Sequence, residues 1–355
     1  VTEGIHDMAV RIGTHLMDPI LTLIGPEGRV VAENNHFFGG DSLLFCKLPT
    51  SGEYVLEVRD YRYAGDPRYT YCVELSDRPF AHAVFPYAVQ RGTAAEVEVL
   101  GNALAGMERS VIYSNAEEEL GWKTLRLETP NGPTNPIPVL VSPYPNLVTS
   151  KDNRSIATAS PITLPVGING RFFEPDEVHY FAFDATAGNF YRFAIESPHR
   201  GLPLDSVIEI YNDAGELLAE ADDGFQTKDA RLLFKAPTDG RYYLAVKDLH
   251  GRIGPRFVYH LRAEPAGPDF EVRGEYDYAM LAPGTSTIWF ARVERLAGFE
   301  GAVEMDIEGL PEGVSVTPVT LAKGMDQCGL ILTASPEAKL GASLARVRGK
   351  ALIAG

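Results

Sequence analysis

Asp222-Asp223-Gly224, closely followed by Asp229, puts three carboxylates on one short stretch of chain. Calcium takes about six to eight oxygen ligands, and carboxylates on a tight loop supply several of them. The stretch lacks the Asp-x-Asp-x-Asp-Gly spacing of an EF-hand, and a solvated turn is the weightier reading of the same residues. A second set is aromatic. Tyr61 and Tyr63 with Tyr69, and Phe37 with Phe38, fall in loops of the first part of the chain, and Phe225 in the matching loop of a later part. Rigid rings give contact area at low entropic cost, which suits an extracellular polysaccharide or protein partner. The competing reading packs these rings over the ends of their own domains, and it weighs more. Catalytic motifs are missing. There is no Gly-x-Ser-x-Gly elbow, no His-Glu-x-x-His, no phosphate loop and no Gly-x-Gly-x-x-Gly. The histidines are scattered, and nothing selects a serine and an aspartate to join His36, His199 or His250. The expectation is a non-enzyme with no catalytic residue.

The elements that must hold these residues are strands. Tyr54-Val55-Leu56-Glu57-Val58 and Ala94-Ala95-Glu96-Val97-Glu98-Val99 alternate apolar with polar, and Gly and Pro punctuate them at short intervals. No long amphipathic helix stands out, and no apolar run is long enough to insert in a membrane. A chain of 355 residues with 45% hydrophobic content has room for two to four folded domains. Its net charge of −16 argues against nucleic acid as a partner, because phosphates demand clustered Lys and Arg. The same charge suits a soluble exported protein. Three cysteines are too few for a disulfide scaffold. Strand alternation puts Cys46 on an inward face and Cys72 on an outward one, so free thiols are expected.

The chain repeats itself. Asp18, Gly28 and Ala32 recur as Asp205, Gly215 and Ala219, an offset of 187. Asp41, Pro49-Thr50, Gly52, Tyr54, Val58 and Asp60 recur as Asp229, Pro237-Thr238, Gly240, Tyr242, Val246 and Asp248, an offset of 188. Asp213-Ala214-Gly215 reads as a hairpin turn, and Asp205 and Asp248 at strand ends read as caps for backbone N–H groups. Val1 aligns with Gly188, yet the later copy begins well before that point. The first copy is therefore expected to lack its opening strands, as a fragment of a longer chain or with another segment supplying the edge. The boundaries fall at 1–77, 79–142, 147–265 and 269–355, with Ser142-Pro143-Tyr144-Pro145-Asn146 as a linker. The order is long, short, long, short, which is a two-domain unit written twice.

Gly201-Leu202-Pro203-Leu204-Asp205, Asp213-Ala214-Gly215, Ala221-Asp222-Asp223, Ala236-Pro237-Thr238-Asp239-Gly240-Arg241-Tyr242 and Asp248 together resemble the bacterial pre-peptidase C-terminal domain. Gln90-Arg91-Gly92 with Leu100-Gly101-Asn102 resembles immunoglobulin-like TIG units, and Gly298-Phe299 with Gly309-Leu310-Pro311 a further immunoglobulin-like domain. The resemblance implies an all-β chain of tandem β-sandwiches, jelly-roll-like in the long segments and immunoglobulin-like in the short ones. It implies an exported, non-catalytic region at the cell surface or in the periplasm, within a longer polypeptide. The rival it leaves open is an accessory region of a secreted peptidase or other hydrolase. Calcium is the one cofactor it suggests. Calcium-binding members use acidic residues leading into the domain and an Asp-Val-Asp before the first core strand. Here Asp152, Asn153, Asp176 and Glu177 stand in that region, and Glu177-Val178-His179 takes the place of Asp-Val-Asp. An imidazole is a poor replacement for an oxygen ligand of a hard cation.

Overall fold

The computed structural model describes residues 2–4, 17–37, 40–67, 69–198, 202–224, 227–275 and 278–353. Phe38, His199 and Phe225 thus lie outside the described residues. The chain is all-β and builds tandem β-sandwiches; among the described residues the one helical element is a 3-10 turn, Ile156–Thr158. It divides into two compact units, 1–265 and 266–355.

The sandwich at 146–265 has two five-stranded sheets. One runs in the order Asn146–Val148, Val166–Arg171, Val258–Ala266, Phe190–Ile195, Arg231–Lys235. The other runs Ser160–Pro161, Val178–Ala185, Gly240–Asp248, Ser206–Tyr211, Leu217–Ala221. Side chains alternate across a strand, so every second residue meets the facing sheet. Phe181, Phe183, Phe193, Ile208, Ile210, Leu244, Val246, Tyr259 and Leu261 form that inner layer and are fully buried. Each large apolar side chain there contributes about 2–3 kcal/mol.

The first segment carries a three-stranded sheet in which Pro19–Ile24 lies between Val30–Asn34 and Val55–Asp60, and a pair formed by Thr2–Gly4 and Tyr71–Val73. Many of its bonds have counterparts in the later sandwich. The Tyr54 hydroxyl donates to the Thr50 carbonyl at 2.7 Å, and the Tyr242 hydroxyl to the Thr238 carbonyl at 2.8 Å. Asp60 accepts the Asp18 N–H at 2.8 Å, and Asp248 accepts the Asp205 N–H at 3.0 Å. The ladder bulges between Leu23 and Ile24 and again between Ile210 and Tyr211. Gly28 (φ 72°) and Gly215 (φ 78°) close the two hairpins in the left-handed region that favours glycine.

The segments differ at one edge. Gly240–Asp248 is flanked by Val178–Ala185, whereas among the described residues no strand lies on the corresponding edge of Val55–Asp60. Tyr71 is 52% exposed, while Tyr259, its counterpart, is 0% exposed. Residues 43–47, the counterpart of Arg231–Lys235, carry no ladder, so Cys46 is half-buried in irregular chain rather than inward on a strand. Arg231–Lys235, by contrast, is held in a ladder with Phe190–Ile195. Cys72 is exposed, and all three thiols are free.

Residues 79–142 form two three-stranded sheets, Phe80–Phe85, Ala94–Asn102, Arg109–Tyr113 and Gly121–Leu125, Ile137–Ser142, Ala88–Gln90. Val84, Val97, Val99, Ile112, Val139 and Leu140 fill the space between them. The second unit pairs a four-stranded sheet, Asp269–Gly274, Ser286–Leu296, Gln327–Ala334 and Val314–Thr317, with a three-stranded one, Val319–Leu321, Val303–Glu308 and Arg346–Lys350. Its core includes Ala291, Val293, Val303, Met305, Leu321 and Leu330.

Tyr242→Phe removes a hydroxyl that ties a turn to the sandwich, and it is expected to cost about 1–2 kcal/mol in denaturant unfolding. Tyr54→Phe is expected to cost less, because the Tyr54 bond is solvent-exposed. Equal losses at the two positions contradict this.

Candidate functional site

The densest set of chemically competent side chains lies where the lead-in at 149–158 meets Val178–Ala185. Asn153 is fully buried, and its Nδ2 donates to the Tyr180 carbonyl at 3.1 Å while the Tyr180 N–H donates back to the Asn153 carbonyl at 2.8 Å. That clamp brings Arg154 against Glu177, with Nη2 2.5 Å from Oε1. His179 Nε2 lies 2.6 Å from the same Oε1, and Nδ1 lies 2.8 Å from the Tyr259 hydroxyl. Phe172 stacks on the imidazole at 4.6 Å. The Phe173 and Glu174 N–H groups donate to Glu177 Oε2 at 2.5 and 2.7 Å.

The proton positions follow from the surroundings. Burial alone raises the Glu177 carboxyl, but hydrogen bonds from His179 and from the backbone of Glu174 and Phe173 bring it down to about 2. Burial lowers His179, against the pull of Glu177. Burial pushes the Tyr259 hydroxyl well up. Neutral His179 therefore donates from Nε2 to the carboxylate and accepts the Tyr259 proton at Nδ1. A Tyr–His–Glu relay could move a proton, but these three groups are sealed from solvent and spend their bonds on one another.

Of the lead-in residues named as calcium ligands, the structure brings Asn153 and Glu177 into this buried region and leaves Asp152 and Asp176 exposed. Arg154 and Tyr259 belong to the cluster and were not singled out in the sequence. The one available signal was an inward His on one strand facing an inward Tyr on another. At the acidic loop, Asp222 and Asp223 are exposed. Asp229 turns away, accepting the Ser197 N–H at 2.9 Å. Among the described residues no three His, Cys, Asp or Glu side chains are gathered to hold a metal ion.

The aromatic set splits. Phe37 is packed between segments. The Arg256 guanidinium lies 3.9 Å from its ring centroid and donates to its carbonyl at 2.7 Å, and His82 meets it edge-on at 4.9 Å. Tyr61 and Tyr63 share an exposed loop. Tyr63, 79% exposed, carries the Arg59 guanidinium 4.5 Å from its centroid. With Met17, Val58, Asp66 and Tyr69 it borders an open depression of about 420 Å³. Asp60 anchors this loop by accepting the Arg62 and Ala64 N–H groups. Burial raises its carboxyl, but these bonds and the one from Asp18 leave it lowered.

A polar joint fastens 79–142 to the later sandwich. The Tyr87 hydroxyl donates to the Glu196 carbonyl at 2.7 Å, and its ring stacks on Trp122 at 5.8 Å. The Ala88 N–H donates to Asn169 Oδ1 at 3.3 Å, and Arg171 pairs with Glu98 at 2.8 Å. Tyr144, in the expected linker, donates to Glu264 at 2.5 Å. His260 is 0% exposed here, with Glu196 4.0 Å away. Gly167 is required beneath it, since a Cβ there meets Asn146 Oδ1 at 2.0 Å and His260 Cε1 at 2.6 Å.

No protein-family model matches the chain, and no curated protein does. Solved structures are similar to parts of it. The pre-peptidase C-terminal domain of a collagenase from Bacillus anthracis is 17% identical, covering 30% of this chain and 94% of that one, with a TM-score of 0.25. Aeromonas hydrophila PliG, a periplasmic inhibitor of g-type lysozyme, is 14% identical over 34% of this chain and 99% of that one, with a TM-score of 0.25. A protein described as secreted from Eubacterium rectale is 11% identical over 52% and 71%, with a TM-score of 0.21. No helix among the described residues is long and apolar enough to cross a membrane.

His260 is expected to make unit 1–265 acid-sensitive. Burial, helped by Arg262, lowers it from 6.5 to about 3. Below pH 6.5 the unfolded chain binds a proton that the folded one refuses, so stability falls as pH drops from 6.5 to 3. Each unit is worth about 1.4 kcal/mol. Glu196, raised by burial, works in the opposite direction, while Tyr87 stays protonated throughout. Thermal midpoints against pH should show the fall, and His260→Asn should make it shallower, with His82, which burial lowers to about 4, and His179 still contributing. An unchanged slope in the variant refutes the assignment.

Proposed function

We propose that this chain is a non-catalytic modular region of an exported bacterial protein, which binds or spaces at the cell surface or in the periplasm. In this reading the two long segments are copies of one jelly-roll-like module of the pre-peptidase C-terminal type. Each is followed by a short immunoglobulin-like sandwich. The recurrence of the same bonds at offsets of 187 and 188 supports the duplication.

The observation that carries the spacing role is the set of ties between segments of unit 1–265. Arg256 reaches back to Phe37, Tyr87 to Glu196, and Arg171 to Glu98. A spacer needs joints that resist bending, and buried hydrogen bonds with stacked rings provide them. The groups best equipped for proton transfer are locked inside a core, which fits a region without chemistry of its own. A second reading rests on the sequence resemblance: an accessory region of a secreted hydrolase. A catalytic motif in the flanking reading frame favours it, and further β repeats favour the first.

For binding, the exposed Tyr61 and Tyr63 loop is the surface to test, against an extracellular polysaccharide or protein. A glycan and matrix-protein array should yield a ligand whose binding is lost in Tyr61→Ala/Tyr63→Ala with the thermal midpoint unchanged. Retained binding in that variant removes the loop from the proposal. For spacing, Arg256→Ala should raise the radius of gyration of the chain in small-angle scattering. An identical profile counts against a stiffened joint.

A further inference from the structure

The resemblance in the sequence implies a divalent cation where the lead-in meets the first core strand of 146–265. The residues present do not fit one. Glu177 is the one buried carboxylate there, and both its oxygens are engaged. Oε1 faces Arg154 Nη2 at 2.5 Å and His179 Nε2 at 2.6 Å, and Oε2 accepts two backbone N–H groups. Asp152 and Asp176 are exposed. The backbone of Asp176 is left-handed (φ 57°), and its N–H donates to the Gly251 carbonyl at 3.3 Å. A doubly charged ion prefers several carboxylate oxygens, and one carboxylate already bonded to donors has none to give.

We propose that Arg154 is a built-in cation: its guanidinium does at the lead-in the charge-balancing work of a divalent ion, so that this sandwich closes without metal. One buried carboxylate needs one positive charge, and the planar guanidinium supplies it with directed donors. Arg154 reaches the site because Asn153 is clamped on both sides of Tyr180, which fixes the chain just before it. The side chain is 28% exposed, so its outer face meets solvent while the bond to Glu177 lies inside. His179 completes the substitution as a neutral donor. The exchange removes a dependence on the medium: a metal leaves when its concentration falls, whereas a side chain does not.

Chemical rescue tests this. Arg154→Gly should lower the thermal midpoint of the full chain by about 5–10 °C. Millimolar guanidinium chloride should restore a substantial part of that loss, and sodium chloride at equal ionic strength should not. Chelator and calcium should leave the midpoint of the Arg154-bearing chain unmoved. This arm is run in Asp222→Asn/Asp223→Asn, so that the acidic loop cannot answer for the lead-in. Should Arg154→Gly fail to fold, Arg154→Gln takes its place, and its loss of midpoint is the readout. A calcium-dependent midpoint in the Arg154-bearing chain overturns the proposal. So does a truncation that costs nothing, or rescue by sodium chloride as good as by guanidinium.

Discussion

Strand Val178–Ala185 pairs along its whole length with Gly240–Asp248, from Val178 opposite Lys247 to Ala185 opposite Gly240. That ladder has three consequences. It brings Phe181 and Phe183 into the core beside Leu244 and Val246, closing one flank of the sandwich. It sets His179 beneath Phe172 and beside Tyr259, which gives the buried polar cluster its partners. It also presents Tyr180 to Asn153, and so anchors the lead-in that carries Arg154. The first segment shows the other side of the same dependence. No strand among the described residues lies on that edge of Val55–Asp60, and Tyr71 is half exposed where Tyr259 is sealed. Bonds at turns and strand ends recur in both segments, and what differs is the burial around them.

Strand alternation and turn residues are local properties, and they were readable from the sequence. Asp248 and Tyr242 sit at strand ends, where a side chain meets the backbone of its own turn, and the sequence repeat already marked both. The polar cluster was not readable in this way. Glu177 was named as a ligand because the resemblance puts an Asp-Val-Asp at its position, whereas its partners are Arg154, some way upstream, and a histidine whose inward face depends on the register of the strand. Phe37 looked like a contact for a ligand because it lies in a loop. Its ring is instead covered by Arg256, 219 residues away. Contacts of that range are tertiary facts, and side-chain type at one position cannot carry them. Cys46 illustrates the complementary case. Alternation assumed a strand, whereas residues 43–47 are irregular and Cys46 is half-buried.

The joints within 1–265 use polar chemistry where apolar packing would suffice for cohesion. The Glu196 carbonyl and the Asn169 side chain accept from Tyr87 and Ala88 on the outer side of a sheet whose inner side packs the apolar core. An apolar joint tolerates sliding, because dispersion has little directional preference. Hydrogen bonds do not, and a misplaced segment leaves buried donors and acceptors unpaired at a cost of about 1–3 kcal/mol each. Tyr144 and Arg171 extend the same logic to the expected linker and to the edge facing Glu98. Orientation between segments is thus specified at the joint itself, without a long rigid connection.

Charge is managed by the same economy of position. The chain carries a net charge of −16, so its surface repels other carboxylates and leaves little free positive charge to spend inside. Each buried carboxylate must then find its own counter-charge or donors nearby. Asp60 finds backbone N–H groups at a strand end, and Asp248 adds Arg252 to the same arrangement. Glu177 uses an arginine, a histidine and two backbone donors. Desolvation penalises an ionised carboxylate for what it loses from water, and each of the three recovers part of that loss from directed donors. The lead-in brings Arg154 to Glu177 as its counter-charge. In the first segment Asp60 is held by the backbone N–H groups of Asp18, Arg62 and Ala64, with Arg62 near enough to add its charge.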